Sequence, residues 1–370
     1  MRIVADNKIP FLKGVFEPWA EVTYLPGKAI DAAAVKEADA LIVRTRTRCD
    51  RALLEHSRVR HIATATIGFD HLVVPEVEAL GITWNNAPGC NAASVGQYMA
   101  CALQTLGTDL KGKTLGVIGV GHVGTIVADY AEVLGMKVLR NDPPRQAAGE
   151  EGFVSLDEVL ACSDIVTLHV PLECGGPFPT FHMAGESFFA RLKKGAFFFN
   201  ASRGEAADTA ALKKALRKGS LSGVALDVWE NEPDIDRELL EMCHIGTMHI
   251  AGYSADGKAN GTAASVRAVA AALGIPELAG WSPEKMPEPP QKQEFSFTSV
   301  KEALLHTYDP REDSARLKAA PEQFEELRGS YPVRREFKAF TVTKVPAEKQ
   351  SCLERFGFRT VVRRSGEERS

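Results

Sequence analysis

The stretch Gly116-Val117-Ile118-Gly119-Val120-Gly121-His122-Val123-Gly124 decides the fold. It carries a G-x-G-x-x-G pattern at Gly119, Gly121 and Gly124, between an apolar strand-like run and an apolar run compatible with a helix. In a strand–turn–helix that binds a dinucleotide, Gly119 permits the tight turn, Gly121 lets a pyrophosphate approach the backbone and Gly124 lets helix and strand pack closely. The helix N-terminus then offers unpaired N–H groups to the anion. Beyond the helix, Met136-Lys137-Val138-Leu139-Arg140-Asn141-Asp142 reads as the next strand, ending in an acid. A carboxylate there accepts hydrogen bonds from the ribose of NAD and repels the extra phosphate of NADP. Arg140 and Arg145 are cations that would suit that phosphate instead, and glycine-rich turns occur in other α/β units. The order of strand, glycines, helix, strand and acid is what favours NAD.

Working outward, the first part of the chain alternates short β-branched runs with helix-compatible segments. Arg2–Ala5, Val22–Leu25, Ala40–Arg44, Ile62–Thr66 and Ile82–Asn85 read as buried strands of a parallel sheet. This is a doubly wound α/β unit without a glycine-rich phosphate loop. Ser94–Leu106 reads as a long apolar helix bridging two lobes. The second lobe starts at Thr114 and continues through the strands Ile165–His169, Ala196–Asn200 and Val224–Val228, with helix-compatible stretches such as Asp208–Lys218 between them. A helical run at Ala263–Leu273 closes the α/β region and is expected to return to the first lobe. Trp281–Pro290 is proline-rich and reads as a stiff linker. After it, Val300–Tyr308 and Glu322–Leu327 look helical while Phe337–Thr343 and Phe358–Val362 look like strands. The expected organisation is therefore a discontinuous substrate-binding lobe (1–93 and 251–280), a dinucleotide-binding Rossmann domain (94–250) and a small C-terminal α+β dimerisation domain (281–370).

The formal net charge of −4 gives no electrostatic footprint for nucleic acid or an anionic membrane. The seven cysteines lack any C-x-x-C spacing, which argues against a disulfide framework or a zinc site and for a reducing compartment. With neither a secretory pattern nor an apolar run of ~18 residues, the cytoplasm is the expected location.

Three segments at strand ends hold the candidates for chemistry: Asn200-Ala201-Ser202-Arg203-Gly204, Asp227-Val228-Trp229-Glu230-Asn231-Glu232-Pro233 and His244-Ile245-Gly246-Thr247-Met248-His249-Ile250-Ala251-Gly252-Tyr253. Oxidising a secondary alcohol needs a base for the hydroxyl proton, a nicotinamide for the hydride and a cation for a neighbouring carboxylate. His249, NAD and Arg203 fit these needs, with Glu232 placed to orient the imidazole and favour its charged form. Taken singly, each reads more readily as an ion-paired arginine, a solvated acid or a packed histidine. His122, His169, His182 and His244 are similar lone histidines, and spacing does not single out His249.

The motifs together resemble the D-isomer-specific 2-hydroxyacid dehydrogenases, which carry Gly119-Val120-Gly121-His122-Val123-Gly124, Asn200-Ala201-Ser202-Arg203-Gly204, Asp227 to Pro233 and His249 in this order. Further stretches resemble the branch of that family acting on 4-phosphoerythronate. They are Thr64-Ala65-Thr66-Ile67-Gly68-Phe69-Asp70-His71, Ala87-Pro88-Gly89-Cys90-Asn91-Ala92, Asn141-Asp142-Pro143-Pro144-Arg145, His249 to Tyr253, Tyr308-Asp309-Pro310-Arg311 and Arg334-Arg335-Glu336-Phe337. The resemblance spans essentially the whole chain. It implies a homodimeric, NAD-dependent oxidation of 4-phosphoerythronate in pyridoxal 5'-phosphate biosynthesis, with Arg203, Glu232 and His249 catalytic and no metal. It implies cofactor contacts at Gly119, Gly121, His122, Val123, Gly124, Asp142, Val170, Ala201, Ser202, Arg203, Asp227 and Gly252, and substrate contacts at Thr45, Thr66 and Tyr253. Rival readings are another 2-hydroxyacid dehydrogenase, such as one for 3-phosphoglycerate, and an NAD-gated binding protein of the corepressor type. Two residues depart from the family: Met248 replaces the usual proline before the histidine, and Ala206-Ala207 replaces bulkier side chains. Loss of the proline frees the φ of the residue before His249 and leaves the rigidity of that loop open. The substrate phosphate calls for charge-assisted donors, and Arg44, Thr45, Arg46 and Arg48 cluster at a strand end. If the strand continues there, Arg44, Arg46 and Arg48 share one side and Thr45 the other. An alternative is Arg334 or Arg335 supplied by a second subunit.

Overall fold

The computed structural model describes residues 1–362; residues 363–370, the end of the expected C-terminal region, lie outside the described residues. The chain divides into two units, Met1–Asn91 with Ser254–Pro287, and Ala92–Tyr253 with the residues from Glu288 onward.

The first unit is built on a five-stranded sheet in the spatial order Glu21–Leu25, Arg2–Asp6, Ala40–Val43, His61–Thr64, Thr83–Asn85. All its pairings are parallel. Ala40–Val43 and His61–Thr64 are buried along their whole length, as expected when helices cover both faces of a parallel sheet. One face packs on Phe16, Val266, Val269 and Ala270, the other on Val35, Leu54 and Val77. The helix carrying Val266 spans Ala255–Leu273, so it starts well before the apolar run at Ala263. Its first turns hold Asp256, Lys258 and Asn260, which hide it from an apolar pattern; the N-cap Ser254 Oγ accepts from Gly257 N at 2.8 Å.

The second unit holds a six-stranded sheet in the order Ile245–Gly246, Leu221–Leu226, Ala196–Asn200, Ile165–Leu168, Thr114–Ile118, Lys137–Asn141, again parallel throughout. The glycine turn links Thr114–Ile118 to the helix His122–Val133. The helix Ala92–Gln104 is buried almost throughout because it packs on His122–Val133 and also on Val300–Thr307, which explains why it is apolar on all sides.

From Glu288 onward the chain adds a three-stranded parallel sheet, Glu294–Phe295, Thr341–Val345 and Arg359–Val362, with the helices Val300–Thr307, Pro310–Ala319 and Ala347–Phe356. The strand expected at Phe337 begins only at Thr341, after a 3-10 turn at Phe337–Ala339. Those aromatics are apolar because they are core residues, with Phe356 and Phe337 packed around Tyr130 of the helix His122–Val133. The helices Pro310–Ala319 and Ala347–Phe356 went unseen in the sequence because charges dominate them. Ser94 Oγ donates to Glu336 Oε1 at 2.9 Å and Gln97 Nε2 to the Arg335 carbonyl at 3.0 Å, so this region shares one buried core with the helix Ala92–Gln104.

Candidate active site

The backbone of the glycine turn fits a dinucleotide. Gly119 has φ +84, and a Cβ there would lie 2.6 Å from the His169 carbonyl oxygen. A Cβ on Gly124 would lie 2.0 Å from the Gly119 carbonyl oxygen, so strand and helix touch backbone to backbone. A Cβ on Gly121, by contrast, meets nothing within 4 Å, leaving open space where a pyrophosphate must approach. Gly121 is the N-cap of the helix, and no side chain caps it, so the first-turn N–H groups are available to an anion. His122 is exposed at the helix start, Val123 is half-buried, and Val170 packs beside Gly119.

Asp142 stands at the end of Lys137–Asn141 and is tied locally: Oδ2 accepts from Val120 N at 2.8 Å and Oδ1 from Arg145 N at 3.2 Å. The two cations beside it are engaged elsewhere. Arg140 pairs with Glu132 at 2.8 Å, while Arg145 pairs with Glu150 and donates to the Val120 carbonyl. Neither is poised for a 2'-phosphate, which agrees with NAD as the cofactor of this domain.

Three strand-end segments of the second unit are joined to one another. Asn200 organises the first: its Oδ1 accepts from Ser202 N at 3.0 Å and Ser202 Oγ at 2.8 Å, and its Nδ2 donates to the Arg203 carbonyl at 2.8 Å. This Asx-type turn was present in the quoted motif, and the asparagine at its head was the available signal. A Cβ on Gly204 would sit 2.0 Å from the Trp229 carbonyl, so glycine allows the Arg203 turn to press against the second segment. Trp229 Nε1 donates to the Thr247 carbonyl at 2.8 Å, joining the second segment to the third.

Glu232 Oε2 lies 2.8 Å from His249 Nδ1, and Glu232 Oε1 accepts from Trp229 N at 3.0 Å. Burial alone would push the Glu232 carboxyl up; the hydrogen bond and charge of His249, the Trp229 N–H and the Arg328 charge outweigh it and hold it below the usual range. An ionised Glu232 accepts the Nδ1 hydrogen of His249, which leaves Nε2 of the neutral ring as a proton acceptor. Phe181, Arg203, Trp229, Asn231, Glu232 and His249 line a cleft of about 400 Å³ in this unit.

The rigidity of the histidine loop, left open by the missing proline, has a structural basis. Met248 is buried, and the loop is fastened by hydrogen bonds in place of a proline ring: His249 N to the Asp227 carbonyl at 2.7 Å, Ile250 N to Asp227 Oδ1 and Ala251 N to Asp227 Oδ2, both at 2.8 Å. Thr247 Oγ1 donates to Asp227 Oδ1 at 2.6 Å. Asp227, an expected cofactor contact, thus turns its carboxylate to this loop. Tyr253 packs its ring edge-on to Tyr331 at 6.2 Å, under the Arg328 guanidinium at 5.3 Å. Ala206 and Ala207 are buried, and Ala207 forms a bridge with Ala184, a close contact that suits small side chains.

In the first unit the strand ends at Val43 and the chain turns, with Thr47 N bonded to the Arg44 carbonyl at 3.3 Å, so strand alternation does not extend through Arg48. Arg44 grips the buried Asp6 through two bonds of 3.1 and 3.2 Å, and Arg48 pairs with Asp50 at 3.0 Å. Thr45 and Arg46 are exposed. Thr66 donates to the Gly68 carbonyl at 2.8 Å. Arg334 is buried within its own chain, which counts against the alternative that it reaches into a second subunit.

Residues 88–251 match the family described as D-isomer specific 2-hydroxyacid dehydrogenase, NAD binding domain, and residues 286–357 match a domain of unknown function, DUF3410. An erythronate-4-phosphate dehydrogenase of Bacteroides fragilis is 51% identical over 348 residues, covering 92% of this chain and 99% of that protein. The erythronate-4-phosphate dehydrogenase of Porphyromonas gingivalis is 41% identical, covering 97% of this chain and 100% of that protein. Among solved structures, the D-lactate dehydrogenase of Aquifex aeolicus, complexed with NAD and lactic acid, is similar with a TM-score of 0.63 and 26% identity, covering 78% of this chain and all (100%) of that one. The fastened histidine loop, the glycine turn and the end-to-end likeness agree: this chain belongs to the erythronate-4-phosphate dehydrogenases within the D-isomer specific 2-hydroxyacid dehydrogenase family.

Proposed function

We propose that this protein oxidises 4-phospho-D-erythronate at C2 to (R)-3-hydroxy-2-oxo-4-phosphooxybutanoate, with NAD as acceptor, in the biosynthesis of pyridoxal 5'-phosphate. The substrate follows from relatives 51% identical across nearly their whole length. The observation that carries the chemistry is the Glu232–His249 pair, 2.8 Å apart in the cleft that Arg203 also lines. His249 Nε2 takes the hydroxyl proton, and Glu232 stabilises the imidazolium as it forms. The Arg203 guanidinium holds the substrate carboxylate and supports charge on the reacting oxygen. Bound NAD supplies the acceptor for the hydride leaving C2. Gly119, Gly121, His122, Val123, Gly124, Asp142, Val170, Ala201, Ser202, Asp227 and Gly252 are the proposed cofactor contacts. Thr45, Thr66 and Tyr253 are the proposed substrate contacts.

Arg46, exposed beside the end of the strand Ala40–Val43, and Arg335 are the proposed candidates for the phosphate. Substituting either by alanine should raise KM for the phosphorylated acid and leave unphosphorylated erythronate unaffected. The assay of the main reading uses purified protein, NAD and a keto acid acceptor to recycle the cofactor. Turnover of 4-phosphoerythronate is expected, and faster oxidation of 3-phosphoglycerate would sink the assignment.

A homodimer is proposed through the C-terminal region, where the edge strand Arg359–Val362 exposes Val361 and Val362 at 53% and 39%. Sedimentation of the full chain tests it, and a monomer at micromolar concentration counts against it. No disulfide joins the described cysteines and no described helix is long and apolar enough to cross a membrane; the first fact supports a reducing compartment, here the cytoplasm.

A further inference from the structure

His249 holds a left-handed backbone with φ 57, a conformation disfavoured for any residue with a Cβ. Such a conformation persists only where its surroundings over-determine it. Asp227 fastens the N–H side of the loop. Two further fastenings come from the region matched only by a domain of unknown function. Gly246 N donates to Ser314 Oγ at 3.0 Å on one side of His249, and Arg334 Nη2 donates to the Ala251 carbonyl on the other.

Arg334 is 3% exposed, and its guanidinium lies 4.5 Å from the centre of the Tyr308 ring and 5.9 Å from that of Tyr331. Its Nε and Nη1 have no hydrogen-bond partner among the described residues. The Ala251 carbonyl is thus the acceptor to which this buried cation is directed. Burial disfavours the charge, and Tyr331, Tyr308, Asp313 and Asp227 outweigh it, raising the guanidinium pKa. A desolvated charge with so few hydrogen bonds is a poor device for stability alone, since apolar residues of similar volume often serve as well or better.

We propose that Arg334 is a positioning residue for the reaction, holding the Ala251 carbonyl so that the His249 ring stays in register with Glu232. This rests on the function proposed above. It gives the C-terminal region a part in the chemistry of its own chain. Ser314 supports the same loop from its opposite end, and Tyr98 Oη, 2.9 Å from Thr247 Oγ1, backs it from the helix Ala92–Gln104.

The test uses the full chain and two independent readouts. The first needs no substrate: NMR of isotope-labelled histidines follows the His249 Nδ1 hydrogen, identified by its absence in His249→Asn. The second compares the NAD dissociation constant with kcat on 4-phosphoerythronate. Wild-type turnover measured alongside judges the functional reading separately; if the wild type is inactive on that acid, the reading fails while the NMR arm still decides the clamp. For Arg334→Met the His249 signal should broaden or vanish, and kcat should fall on the order of 10–100-fold with NAD affinity kept within about twofold. Arg334→Lys restores a cation without the planar fork and should recover part of both losses. An unchanged signal and kcat in folded Arg334→Met overturns the proposal, as does a parallel loss of NAD affinity that marks general loosening. Should Arg334→Met not fold, Arg334→Lys decides: a several-fold fall in kcat with NAD affinity kept supports the clamp, and wild-type kcat overturns it.

Discussion

A histidine lies beyond the strands in each unit, and their neighbours give them opposite chemistry. In the first unit His71 Nε2 lies 3.0 Å from Thr64 Oγ1, which lies 2.7 Å from Thr66 Oγ1. Thr66 gives its hydroxyl hydrogen to the Gly68 carbonyl, so it accepts from Thr64, and Thr64 in turn accepts from His71. Burial drives His71 down to about 4 against the smaller opposing pull of Asp70, making the ring a neutral, fixed donor. In the second unit His249 meets the Glu232 carboxylate and turns its other nitrogen to a cleft. A histidine among hydroxyls fixes a direction; a histidine against a carboxylate is set to exchange a proton.

The sharpest way to break this contrast is at His249. Replacing it with asparagine should lower kcat on the order of 10²–10⁴-fold, the range for loss of a general base, while NAD binding stays near wild type. A residual rate within tenfold of wild type would falsify its assigned role.

Glu232→Gln should cost less, on the order of 10²-fold in kcat, because an amide oxygen still accepts from Nδ1 but no longer balances the imidazolium. It also has a signature in stability. The folded-state pKa of Glu232 lies below its ordinary 4.5, so its contribution is present above that value and is lost as pH falls through the folded pKa. Thermal midpoints measured at about pH 7 and about pH 4 should therefore fall less in Glu232→Gln than in the wild type. An equal fall would show that the carboxylate is not held by the pair.

The two units differ equally in what their tight glycines serve. Gly124→Ala places a Cβ 2.0 Å from the Gly119 carbonyl oxygen, and backbone must move, so NAD affinity should fall about tenfold, or roughly 1.4 kcal/mol. Gly261→Ala meets the Ala65 carbonyl oxygen at 2.6 Å in the first unit and should lower the melting temperature without changing NAD affinity. Calorimetric titration with NAD separates them, and equal losses in affinity would erase the distinction.

What the sequence disclosed follows from the range over which each cause acts. The strand Ala196–Asn200 and the glycine turn were legible because their determinants are contiguous: buried parallel strands are apolar runs, and a tight turn writes glycines at fixed offsets. The helix Pro310–Ala319 was not, since only Pro310, Asp313, Ser314 and Leu317 are buried and two of those four are polar. The residue types of the site were visible, but not their selection. His249 differs from His244 through a carboxylate 17 positions away and through Arg334, 83 positions from Ala251. Met248 left the rigidity of its loop undecided, because the hydrogen bonds that stand in for the missing ring run to Asp227, 23 and 24 positions from Ile250 and Ala251.

The smallest effect is expected at His71, where the contrast is most finely tested. His71→Gln keeps a donor for Thr64 and so should change kcat by less than about tenfold, far below the loss at His249. Its effect belongs to pH-dependent stability. The folded-state pKa is lowered from 6.5 to about 4, so the unfolded chain binds the extra proton between these values, and stability present above pH 6.5 is lost as pH falls through the window. At 1.36 kcal/mol per unit the ceiling is on the order of 3 kcal/mol. His61 and His169 are lowered by burial as well, so His71→Gln should reduce the loss between neutral pH and about pH 4.5 without abolishing it. Urea unfolding at the two pH values measures this directly. If the variant loses as much stability on acidification as the wild type, His71 is not a buried neutral donor, and the contrast between the two histidines reduces to exposure alone.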